Sequence, residues 1–62
     1  MAKYKFPAQE IVGIMHHVIS YDATVLAMTP DGTDYVMTLD KIIVAEQVEH
    51  LAEAYGLLEV AE

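Results

Sequence analysis

The side chains best suited to chemistry in this sequence are its three histidines, His16, His17 and His50. Successive residues on a helix point about 100° apart, so His16 and His17 do not readily chelate one metal. Glu46, His50 and Glu53 stand at i, i+4 and i+7, a spacing that shares one helix face and could make a weak mixed metal site. Two carboxylates around an imidazole would also raise its pKa by charge attraction. Glutamate-rich helices generate this spacing often, so the expectation is a solvated face, with no metal and no other cofactor. Ser20 follows His17 by three residues, which makes a helix-surface pair rather than a nucleophile and its base. The chain has no cysteine, which excludes disulfides and thiolate zinc sites. Asp31 and Asp34 flank Gly32, but that loop is too short and too poor in ligands for calcium. No glycine-rich phosphate loop occurs. An enzyme is not expected.

The elements that would carry these residues can be read from period and punctuation. Residues 2–6 alternate strictly, with Ala2, Tyr4 and Phe6 on one side and Lys3 and Lys5 on the other, a strand pattern. Pro7 ends the run and suits the first turn of a helix. Residues 8–20 read as that helix, because Ile11, Ile14, Met15 and Val18 form a stripe at helical spacing. Val12 and Ile19 broaden the stripe; Gln9, Gly13, His16 and Ser20 fall opposite it. Residues 24–28 and 34–39 read as a hairpin around Thr29-Pro30-Asp31-Gly32, where proline and glycine supply the turn conformations. Asp40 is placed to cap a second helix over residues 41–55, with Val44, Val48, Leu51 and Tyr55 as its stripe and Gly56 as its stop. Residues 57–61 could add a short last strand. The expected fold class is α+β: a small two-layer sandwich of order β-α-β-β-α, ferredoxin-like if the last strand forms. If the first strand frays, the core becomes α-β-β-α. One domain is expected over residues 1–62.

Composition sharpens the question of what the domain does. Of the 62 residues, 55% are hydrophobic, more than so small a core can hide. The net charge is -7, and all of that excess lies in residues 31–62. Direct contact with nucleic acid or an anionic membrane is therefore disfavoured. No apolar run approaches the ~20 residues of a membrane span, and no cleavable signal pattern follows Met1, so a cytoplasmic protein is expected.

The hairpin carries no charge outside its turn. Pairing Met28 with Thr33, Leu26 with Tyr35 and Thr24 with Met37 places Leu26, Met28, Tyr35, Met37 and Leu39 on one face, suited to lie under two helices. The other face holds Ala23, Val25, Ala27, Val36 and Thr38, small and uncharged, where an antiparallel sheet facing water normally carries polar groups. Tyr4 and Phe6 would enlarge that patch if the first strand joined with its aromatic side facing the same way. The expectation is a small non-enzymatic protein that works by protein–protein contact as an adaptor, regulator or inhibitor. It would form a homodimer through Tyr4, Phe6, Ala23, Val25, Ala27, Val36 and Thr38. A second reading is an acidic inhibitor, with Asp31, Asp34, Glu46, Glu49 and Glu53, joined by Glu59 and Glu62, filling the nucleic-acid groove of a basic protein. A third is a weak metal or small-ligand binder centred on His50.

Overall fold

The computed structural model describes residues 2–60. β1 (Ala2–Pro7) leads through a short 3₁₀ turn (Ala8–Glu10) into α1 (Ile11–Ser20). β2 (Val25–Asp31) and β3 (Asp34–Leu39) follow, then α2 (Ala45–Tyr55) and β4 (Leu58–Val60). The sheet order is β2-β3-β1-β4, with every neighbouring pair antiparallel. β1 and β2 thus run parallel with β3 between them, and each helix connects two such strands across the same side of the sheet. This is a small α+β domain of ferredoxin-like order with an open antiparallel sheet, and the short last strand is present. No described helix is long and apolar enough to cross a membrane.

The core lies between the sheet and the two helices. Tyr4 and Phe6 from β1, Met37 and Leu39 from β3, Ile14 and Val18 from α1, and Leu51 from α2 are all buried, with Ile43 and Leu57 closing the ends. The accessible surface of 3988 Å² is what a compact chain of this mass exposes, about 4,000 Å². The surplus of apolar residues therefore reflects what stands on the surface, and not a loosely folded chain.

Four local expectations need correction. The aromatic side of β1 faces the helices: Tyr4 and Phe6 are each 1% exposed, and Lys3 and Lys5 take the open face. Bulk decides this, since only the core side has room that large rings must fill. Second, the hairpin turn is two residues long. Asp31 pairs with Asp34 around Gly32 and Thr33, with Gly32 at φ 64, and Met28 pairs with Met37. Pro30 is accommodated inside β2 because β2 is an edge strand, where a missing N–H costs little. Third, a bulge between Val25 and Ala27 leaves Leu26 outside and turns Val25 onto the core side, opposite Leu39. Fourth, Val12 and Ile19 point away from the core, 67% and 74% exposed, whereas Gly13 sits against α2.

The second helix also starts later than its stripe suggests. Ile42, Ile43 and Val44 are three successive β-branched residues, which resist a helical turn. They form an extended loop instead, pinned where the Ile43 amide donates to the Tyr4 hydroxyl at 3.0 Å inside the core. Asp40 caps no helix. Its carboxylate accepts from the Thr24 amide at 2.9 Å and its own amide donates to the Thr24 carbonyl, closing the open end of the hairpin. Asp22, at φ 61, ends α1 in the left-handed position that aspartate tolerates better than most residues. Gly56 ends α2 in the same conformation, its amide donating to the Ala52 carbonyl.

Tyr4→Phe is expected to cost about 1–3 kcal/mol, because the aromatic ring stays while the buried Ile43 amide loses its acceptor. Urea unfolding measures the loss. Faster hydrogen exchange at Ile43 than elsewhere in the core would locate it, and unchanged exchange there would contradict it.

Candidate functional site

Among the described residues, nothing covers the face of the sheet away from the helices. Cross-strand register sets its rows. Leu58, Lys5, Val36 and Thr29 lie side by side, and Val60, Lys3, Thr38 and Ala27 form the next row. Val36, Thr38 and Val60 are half-buried by their neighbours, and Ala27, Thr29 and Leu58 are exposed. Toward the hairpin turn, the Lys5 ammonium lies 3.2 Å from the Asp31 carboxylate and 3.7 Å from that of Asp34. The hydrogen bond and charge of Asp31 hold the Lys5 pKa above its ordinary value, with Asp34 adding to the effect. These exposed pairs add little stability, but they neutralise the rim. Among the described residues, two lysines and two aspartates balance on this face. The remaining described carboxylates sit on the helices, in the loops or, for Glu59, on the helix side of β4.

Of the residues expected at a contact, Ala27, Val36 and Thr38 stand on this face. Tyr4 and Phe6 are core residues, and Ala23 and Val25 pack against the core. Leu58, Val60 and the two lysines belong to the face and were missed by sequence reasoning. Their signal was the alternation of β1, read with the larger side chains assigned inward, and Leu57-Leu58 read as one residue on each side of a short strand. The expected acidic surface is divided between two layers. Asp31 and Asp34 bracket the hairpin turn beside Lys5, while Glu46, Glu49 and Glu53 are exposed on α2; Glu62 lies outside the described residues.

The histidines fall in a different place. His17 on α1 and Tyr21, the residue just past its end, meet Gln47, His50 and Tyr55 on α2. The His17 ring lies 5.8 Å from that of His50, 6.0 Å from Tyr21 and 5.5 Å from Tyr55, centre to centre. The Tyr21 hydroxyl donates to Gln47 Oε1 at 2.7 Å, which leaves its oxygen to accept from His17 Nδ1 at 3.4 Å. The Tyr55 hydroxyl meets the other ring nitrogen of His17, Nε2, also at 3.4 Å. Burial, with the neighbouring Tyr55 contributing, keeps the Tyr21 phenol above its ordinary pKa. This chain of polar groups ties the helices together. Gly13 permits it: an alanine Cβ there would fall 2.5 Å from the Tyr55 ring. Gly13, His17 and Tyr21 stand at i, i+4 and i+8, and that spacing was the available signal. The Ser20 hydroxyl donates to the His17 carbonyl at 2.7 Å, a local helix-end bond.

Among the described residues, no three His, Cys, Asp or Glu side chains, Glu46, His50 and Glu53 included, come together in a group that could hold a metal. What the geometry presents is a compact domain with one uncovered, charge-balanced sheet face and an acidic helical layer. The chain matches no protein-family model, no curated protein and no solved structure.

Proposed function

We propose that this is a non-enzymatic protein-contact domain whose open sheet face is covered by a second copy of the same chain. The observation that carries the reading is the charge balance of that face in a chain of net charge -7. Two copies meeting sheet to sheet place their acidic helical layers outermost, as far apart as the assembly allows. Docking through the exposed side of α2, which carries Glu46, Glu49 and Glu53, would press like charges together. The small side chains of Ala27, Thr29, Val36 and Thr38 let two sheets approach to the usual ~10 Å. A standard interface of about 800 Å² per partner is roughly a fifth of this chain's surface, the scale of one face. Burying its apolar part at ~25 cal/mol per Å² adds usefully to a domain this small.

Charge placed on the face tests the reading. Val36→Lys should shift the chain to monomer in sedimentation runs that leave its circular dichroism unchanged. Glu49→Lys, on the exposed side of α2, should leave the association intact or strengthen it. The opposite ranking would favour the acidic helical layer as the contact and a basic protein as the partner.

A further inference from the structure

A second feature is independent of the sheet face. The extended loop of residues 41–44, the end of α1 and the first turn of α2 enclose a cleft of about 340 Å³. Its walls are aliphatic, from Ala23, Ile42, Ile43 and Val44, with Lys41, Tyr21 and Gln47 as the polar groups. We propose that this cleft binds a small amphiphilic carboxylate, one anionic head on an aliphatic tail.

The volume is within the lower range of small-molecule sites, about 300–1,000 Å³. Ile42 and Val44 are 71% and 63% exposed, so two large aliphatic side chains stand in water at one opening. A ligand tail lying on them would remove that surface from solvent. The head-group sign follows from the lining, which contains one cation and no carboxylate. Lys41 is also the only lysine of the chain that is not on the open sheet face. Gln47 spends its Oε1 on the Tyr21 hydroxyl, which leaves its amide protons to donate to an oxyanion. Tyr21 stays protonated and so presents no negative charge to an anion. The lining offers a cationic amphiphile no carboxylate, and a neutral alcohol would leave the ammonium unused.

Titrating the full chain with octanoate, octylammonium and octanol, followed by amide proton–nitrogen correlation spectra, tests this. Octanoate should give saturable shifts centred on Ala23, Ile43, Val44 and Gln47, at lower concentration than either comparison compound. Lys41→Ala should weaken octanoate about threefold, the scale of an exposed charge pair, without changing the thermal midpoint. Ile42→Ser should also weaken it, through the tail. Absence of saturable shifts at these amides, equal binding of octylammonium, or unchanged octanoate affinity in Lys41→Ala would each overturn the proposal.

Discussion

Phe6→Ala should cost the domain about a third or more of its stability. Truncating a buried aromatic costs about 3–5 kcal/mol. A chain of this length has about 3–9 kcal/mol in total, at roughly 0.05–0.15 kcal/mol per residue. Phe6 is 1% exposed, pairs with Tyr35 across the strands and packs its ring 6.2 Å from the Tyr35 ring, so little can collapse into the space it leaves. Lys5→Ala, one residue away on the opposite face, should change stability by no more than about 0.5 kcal/mol. Circular dichroism and urea unfolding of the two variants compare them directly. A stable Phe6→Ala beside a crippled Lys5→Ala would mean that β1 faces the other way.

Gly13→Ala is expected to destabilise, against the helix propensity of the residue. In an exposed helix interior the change would gain about 1 kcal/mol. Here the new methyl meets the Tyr55 ring at 2.5 and 2.9 Å, and overpacking of this kind costs about 1–3 kcal/mol. The ring must swing out, which also breaks its contact with His17. The net loss should be up to about 2 kcal/mol, read as a lower urea midpoint. Repeating the substitution in a Tyr55→Ala background removes the clash, and there Gly13→Ala should stabilise. If it stabilises in both backgrounds, the helices do not meet through this pair.

The elements were legible wherever backbone chemistry punctuates the sequence. Pro7, Gly32 and Gly56 bracket segments whose apolar periods of two and 3.6 leave little choice. The fold class and the order of strands and helices followed from that. The faces were harder. Alternation in β1 fixed which residues share a side but not which side met the helices, and the lysines took the open one. The bulge at Leu26 has no local signature, yet it moves Val25 from the expected contact to the core. The late start of α2 is visible in hindsight in Ile42-Ile43-Val44, but the bond from Ile43 to Tyr4 spans 39 residues and no window contains it. Comparable separations, 38 residues in the case of His17 and Tyr55, hid the meeting of His17 with His50 and Tyr55. Of the candidate contact, Ala27, Val36 and Thr38 could be placed from the hairpin alone, because the parity of pairing survived an error in its register.

Sedimentation equilibrium of the pure chain over a wide concentration range, at low and at high salt, addresses the association most directly. The account predicts a reversible dimer that tightens with salt, since the contact face is charge-balanced and salt screens the repulsion between the charges left outside. A chain that sediments as one copy at every concentration, with Val36 and Thr38 open to water, would contradict it.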